Sequence, residues 1–329
     1  MPTIRDVARA AGVSEATVSR AINQAPGVSA RTRERVLAVA RDLHFTPAPV
    51  ARRLRGARTG LAGVVVPDLS ASFFVEVIQG IEHTLSLNDY RVLVCDARND
   101  RSREEAHIRW LADGTVDAIL LLAPMTTDAF IAEVAAQGPP VAVFGRVVAG
   151  GPVTSVTVAN RQAAEQATEH LISHGRERIA FIAGTPGIPD GEARLEGYRD
   201  AMQRHGRQSA IAVEVGHFSE EGGRAALRAL LERRPPPDAI LAANDEMAMG
   251  VLAGARELGV RVPEDIALVG FDNIRCARLV TPALTTVHQP KLDIGFRLAQ
   301  SALDRLKGVA GHEQWVLPAD LVVRRSCGC

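Results

Sequence analysis

Lysine is almost absent from this chain of 329 residues: Lys291 and Lys307 stand alone in an otherwise all-arginine basic set. Cysteine is scarce as well. Cys95, Cys276, Cys327 and Cys329 are too few and too scattered for a disulfide framework. No run of about 18 apolar residues occurs, so no membrane span is expected. The opening MPTIRDVARA lacks the apolar stretch of a signal peptide, which makes the cytoplasm the expected location. What remains is an ordinary globular composition, 47% hydrophobic and 23% charged, which excludes a disordered chain. The length calls for two or three domains rather than one core.

The net charge of zero hides an asymmetry. Residues 1–60 hold 11 arginines against four acids (Asp6, Glu15, Glu34, Asp42), so the rest of the chain carries the compensating acidic excess. A small basic head on an acidic body points to a polyanionic partner for the head.

Within that head, Ile4, Val7, Ala8 and Ala11 fall at helical spacing, and Gly12 follows where a left-handed turn is cheapest. Ser14 reads as an N-cap, with Glu15 well placed for the helix dipole. The helix from Glu15 to Asn23 places Val18 and Ile22 inward and leaves Ala16, Thr17, Ser19, Arg20 and Asn23 more open. Ser29 opens a third helix, with Val36, Leu37, Ala40 and Leu43 as its buried stripe. Helix, tight turn, helix and supporting helix form the helix-turn-helix arrangement, whose second helix fits a DNA major groove.

The stretches TIRDVARAAGVSEATVSRAIN, VSARTRERVLAVARDLHFTP and VARRLR resemble the LacI family of bacterial transcription regulators. The resemblance runs on through PDLSASFF, ANDEMAMG, VPEDIALVGFDN and TPALTTVHQP, and from Asp245 onward it is most like the purine-repressor branch. It implies that positions 15, 16 and 20 face base edges. Arg20 would read guanine through two hydrogen bonds, and the Ala16 methyl would touch thymine. Glu15 either accepts from a cytosine amino group or serves only the helix N-terminus. The candidate DNA-contacting residues of the head are Thr3, Ser14, Glu15, Ala16, Thr17, Ser19, Arg20 and Asn23.

Residues 47–59 read as a hinge. A segment of about eight residues does not hold a helix alone in water, because nucleation is too costly. The resemblance implies a helix formed only on DNA and beside a partner chain, with Leu54 wedged into a minor-groove base step and Arg52, Arg53 and Arg55 near phosphates. A plain basic linker is the alternative.

From Leu61 onward, short apolar runs alternate with amphipathic helices: LAGVVVP, YRVLVCD, VDAILLLAP and PPVAVFG, then RIAFIAG, AIAVEVG, PDAILAAND and DIALVGFD. Continuous apolar strands between helices indicate parallel sheets covered on both faces. VDAILLLAP echoes PDAILAAND, which suggests two similar lobes. The expected class is therefore α/β, with a helix-turn-helix head at 1–46, the hinge, and a two-lobed body at 60–329 with parallel sheets, which the resemblance implies is periplasmic-binding-protein-like. Lobe 1 takes about 60–159 and 289–317, and lobe 2 about 160–288 and 318–329.

Ligands of such folds bind at strand carboxyl ends, here between the lobes. Candidates for an effector site are Asp68, Phe73, Phe74 and Arg146 from lobe 1, with Asp190, Arg194, Phe218, Asn244 and Asp272 from lobe 2. By the resemblance, Arg194 and Asp272 match a pair that grips a diol, while the phenylalanines offer apolar faces. Ile188 stands where the purine branch carries a purine-contacting arginine, which argues against a purine base. Several sugar-responsive members carry an acid where this chain has Gly145. Two cleft arginines with one carboxylate fewer would favour a sugar acid or sugar phosphate over a neutral sugar.

No catalytic set stands out, and GTPGIPDG lacks the lysine of a phosphate loop, so neither an enzyme nor a cofactor is expected. His170 and His174 share a helix face, but no third ligand has helpful spacing, and Cys327-Gly-Cys329 alone is weak; no metal is expected. The resulting expectation is a ligand-responsive repressor of sugar or sugar-acid genes that binds a near-palindromic operator as a homodimer. The chain carries no heptad extension of the kind that joins dimers into tetramers. The rivals are a sugar-binding module without DNA function and a sugar-converting enzyme on the same fold.

Overall fold

The computed structural model of the chain describes residues 2–22, 25–43, 45, 58–309 and 314–329. Its contacts divide it into two units, residues 1–59 and 60–329.

In the first unit, α1 (Ile4–Ala11), α2 (Glu15–Ile22) and α3 (Ala30–Asp42) pack pairwise around Val7, Ala8, Ala11, Val18, Ala21, Val36 and Ala40. Local chemistry sets the helix ends. Thr3 and Asp6 form a reciprocal capping box at the start of α1, and Gly12 stops it at φ 62°. Ser14 Oγ accepts from the Thr17 amide at 3.2 Å and Ser29 Oγ from the Thr32 amide at 3.2 Å, which are the two expected N-caps. Leu37 departs from the expected α3 stripe: it is exposed, and Val39 packs against the core instead.

The second unit contains two sheets. The first consists of β1 (Leu61–Val66), β2 (Arg91–Asp96), β3 (Ala118–Leu122), β4 (Val141–Phe144), β5 (Val153–Val158) and β11 (Gln314–Leu317), in the order β11-β5-β4-β3-β1-β2 and parallel throughout. The second consists of β6 (Ile179–Ala183), β7 (Ala212–Val215), β8 (Ala239–Ala242), β9 (Ala267–Asp272), β10 (Thr285–His288) and β12 (Asp320–Val322), in the order β12-β10-β9-β8-β6-β7. Only β12 runs antiparallel to its neighbour. All eight expected apolar runs are strands, and the echoing pair VDAILLLAP and PDAILAAND supplies β3 and β8, which hold the same place in each sheet.

The helices that carry the sheets are α4 (Ser72–Ser86), α5 (Arg101–Trp110), α6 (Asp128–Gln137), α7 (Asn160–Ser173), α8 (Pro189–Arg204), α9 (Glu220–Leu231), α10 (Asp245–Leu258) and α11 (Lys291–Leu306). Strands β3, β4, β8 and β9 are buried along their whole length, as sheets covered on both faces require. The chain changes sheet after β5, after β10 and after β11, so the lobes are joined by several crossings near one edge of each sheet.

Glycine sets the closest helix approach. Helix α11 returns to lobe 1 and lies against α4 where Gly80 meets Gly295. A Cβ on Gly295 would overlap the Val77 carbonyl, and one on Gly80 the Leu292 carbonyl, so neither position has room for even a methyl group. Gly295→Ala is therefore expected to force the helices apart and destabilise the body by about 1–3 kcal/mol, read as a lower urea midpoint. Gly259→Ala, at an open helix end with φ 70°, supplies the comparison: its cost is backbone strain alone.

Candidate effector cleft and nucleic-acid interface

A cavity of about 510 Å³ lies between the lobes, at the carboxyl ends of the strands. Its apolar wall comes from lobe 1. Phe73 stacks on Phe144 with centroids 5.7 Å apart and meets Phe74 edge-on at 5.2 Å. Phe218 closes the opposite side from the β7–α9 connection. It adopts φ 58°, and its ring covers Gly184 and Gly191, where a Cβ would collide with it.

The polar floor is a connected network. Arg194, on α8, is buried and donates to the Ala243 carbonyl at 2.6 Å and to Asn160 Oδ1 at 2.8 Å. Its guanidinium lies 3.9 Å over the Phe271 ring and 3.6 Å from Asp272. Asp272, held at φ 113°, accepts from Gln289 Nε2 at 2.6 Å. Lys291, itself buried, donates to the Asp272 and Asn273 carbonyls at 2.7 and 3.0 Å. Asn160 reaches across to Asp190 at 2.8 Å. Burial raises the Asp190 carboxyl to about 6, against the pull of Arg194, and burial likewise raises Asp272.

Four helix N-termini open on this space: α4, α8, α9 and α10. Each is already met by a carboxylate. Asp190 sits in the first turn of α8, Glu220 and Glu221 in that of α9, and Asp245 and Glu246 in that of α10. Helix α4 has no acid in its first turn and no side-chain cap; Glu246 from lobe 2 accepts from the Ser72 amide at 3.2 Å. This bond joins the lobes across the cleft mouth.

The structure brings together Asp68, Phe73, Phe74, Asp190, Arg194, Phe218, Asn244 and Asp272 as lining residues. Asn244 also caps α10 and donates to the Phe218 carbonyl at 3.2 Å, and Asp68 orders its loop through Ser70 and Asn99.

Arg146 requires a correction: it is not among the lining residues. Its side chain donates to the Thr126 carbonyl, pairs with Asp128 at 3.2 Å and offsets Glu104, a buried carboxylate that binds the Met125 and Thr126 amides. The absent carboxylate at Gly145 is also made good, because Asp190 Oδ2 lies 3.2 Å from where a Cβ on Gly145 would stand. Both premises of an anionic ligand therefore fail.

Gln289 and Glu246 line the cleft without having been singled out. Gln289 follows β10, whose threonines hid it as a strand and so hid the residue at its carboxyl end.

In the head, Thr3, Ser14, Glu15, Ala16 and Arg20 are exposed, and Thr17 is half-buried. Glu15 pairs with Arg5 at 3.1 Å, so its charge is met within the head. Ser19 is a second correction. Helix α2 packs against both α1 and α3, which widens its buried arc to include Ser19 and Ala21. Asn23 and the hinge residues Arg52, Arg53, Leu54 and Arg55 lie outside the described residues.

A compact three-helix unit with an exposed second helix, on one chain with a two-lobed cleft protein, defines the class of ligand-responsive DNA-binding regulators. Residues 3–48 match the family described as bacterial regulatory proteins, lacI family, and residues 168–327 the periplasmic binding protein-like domain. The chain is 37% identical to catabolite control protein A of Priestia megaterium over 89% of each chain. It is 35% identical to the transcriptional repressor PurR of Proteus mirabilis, over 99% of this chain and 97% of that one. Among solved structures, the lac repressor dimer bound to operator and the anti-inducer ONPF superposes with a TM-score of 0.86 at 28% identity, over 99% of both chains. The complex of the transcriptional regulator CelR with cellobiose gives a TM-score of 0.73 at 32% identity, over 99% of this chain and 100% of that one. The chain belongs to the LacI family of bacterial regulatory proteins and is a ligand-responsive transcriptional repressor, not an enzyme.

Asp190 offers a titration test. Its native carboxyl binds a proton more tightly than the unfolded chain's, whose value is near 3.8. Its destabilising contribution is therefore absent below about pH 4, grows toward about pH 6 and is constant above. Asp190→Asn is expected to gain stability over the wild type across that window and to hold the gain at higher pH. Urea unfolding at stepped pH measures the difference, and a constant difference from pH 4 to pH 8 would count against it.

Proposed function

We propose that this repressor answers to a neutral, polyhydroxylated ring compound, a sugar or a nucleoside, bound in the interlobe cleft. The observation that carries this reading is the charge of the lining. Among the described lining residues Arg194 is the one arginine or lysine, and Asp272 already pairs with it; Asp68, Asp190, Glu220, Glu221 and Glu246 add further carboxylates. An anion would enter against that field, whereas hydroxyl groups would donate to it. Gln289 strengthens the case: its Oε1 is buried without a hydrogen-bond partner and suits a ligand hydroxyl. Phe73, Phe74 and Phe218 suit the apolar face of a ring.

The ligand acts by its unequal affinity for open and closed lobes. The protein is a homodimer that places one head on each half-site of a near-palindromic operator, with Arg52, Arg53, Leu54 and Arg55 of segment 47–59 as further DNA contacts. On this reading the head is 1–46, the hinge 47–59 and the body 60–329, with the chain resident in the cytoplasm.

Thermal unfolding against neutral sugars, nucleosides, sugar acids and sugar phosphates tests the ligand class. A true ligand at about a hundred times its Kd adds roughly 2.7 kcal/mol, a shift of a few degrees. The shift is expected only with neutral compounds, and one confined to sugar acids or phosphates overturns the reading. On DNA selected from a random pool, Arg20→Ala is expected to relax base choice at one position, at about 1–3 kcal/mol. An equal loss on every sequence would make Arg20 a phosphate contact instead.

A further inference from the structure

Far from the cleft, the C-terminal end of α7 meets the residues that follow β12. Among the described residues, one set of three potential metal ligands has its ligand atoms within 4.8 Å of one another: His170, His174 and Cys329. The two histidines are one helical turn apart, with ring centroids 4.5 Å apart. The third donor comes from 155 positions further along the sequence, which is why spacing alone does not reveal it. The Cys329 sulfur lies 3.5 Å from His170 Nε2. By helix rise, His170 stands about 15 Å along α7 from Asn160 and the effector network.

We propose that His170, His174 and Cys329 bind a zinc-class transition-metal ion that fastens the C-terminal segment to α7. Two imidazoles and one thiolate form a donor set for Zn²⁺ or its chemical relatives, and the exposure of His174 and Cys329 leaves a coordination position for water. The surroundings already orient these groups. His174 Nδ1 lies 2.8 Å from the His170 carbonyl, so it carries the proton and leaves the other ring nitrogen its lone pair. Cys327, buried beneath, accepts from Thr285 Oγ1 at 3.1 Å and donates toward the Cys329 sulfur at 3.1 Å, a contact that strengthens when that sulfur is a thiolate. Binding through the Cys329 sulfur requires its thiolate, so metal uptake releases the thiol proton to solvent.

The test is titration of the reduced, tag-free full chain with Co²⁺ alone, followed by Zn²⁺. The expected result is uptake of about one ion per chain, with a thiolate-to-cobalt charge-transfer band that Zn²⁺ abolishes. Cys329→Ser is expected to remove the band and His170→Ala to weaken binding at least tenfold. Cys276→Ser, which alters an exposed thiol elsewhere, is expected to leave both intact. Thermal unfolding of the metal-free variants separates loss of ligand from loss of fold. No charge-transfer band in the wild type, or a band that survives Cys329→Ser in a folded protein, overturns the proposal.

Discussion

A buried guanidinium and a buried carboxylate, Arg194 and Asp272, hold the centre of this structure together. Removing two charges from water costs several kcal/mol each unless both are paired and fully hydrogen-bonded. The chain meets that demand by drawing on separate elements: Asn160 at the start of α7, Ala243 after β8, Phe271 on β9, and Gln289 after β10. Lys291, where the chain crosses back to lobe 1, ties down the same turn through two carbonyls. A ligand that touches this network therefore touches both the floor of lobe 2 and a crossing between lobes.

The second constraint is electrostatic. Four helix N-termini pointing into one cavity would ordinarily make an anion site. Here acidic side chains answer them first, and one, Glu246, does so from the opposite lobe. The cleft can therefore present hydrogen-bond acceptors rather than positive charge. The Glu246–Ser72 bond exists only while the lobes keep this spacing, so lobe movement trades it against ligand contacts.

Much of the fold was legible in the sequence, because central parallel strands must be apolar on both faces and so appear as unbroken runs. The four strands without such a run are β5, β10, β11 and β12. Strand β5 reads VTSVTV, yet Thr154 and Ser155 are buried, because Ser301 and the Val148 amide supply their hydrogen bonds. In β10, Thr285 and Thr286 are satisfied by the Arg324 amide, Cys327 and Asp245 in the same way. Long-range partners make such strands possible, and no local pattern records them. The site shows the same division. Residues at the ends of unbroken apolar runs are legible, whereas Gln289 is hidden with its strand. Arg146 reads as a cleft residue because only the fold reveals Glu104 and Asp128 beside it. Ser19 reads as open because one helical stripe does not describe a helix held between two others.

The proposed function requires that a ligand bound at the Arg194–Asp272 network change the affinity for DNA. The most direct measurement is the affinity of the full chain for a selected duplex, with and without a saturating cleft ligand, in the wild type and in Arg194→Met/Asp272→Leu. The expected change is roughly 5- to 150-fold in the wild type, the range typical of allosteric coupling, and none in a double variant that still folds and binds the duplex. The same ligand-driven change in both proteins would contradict it.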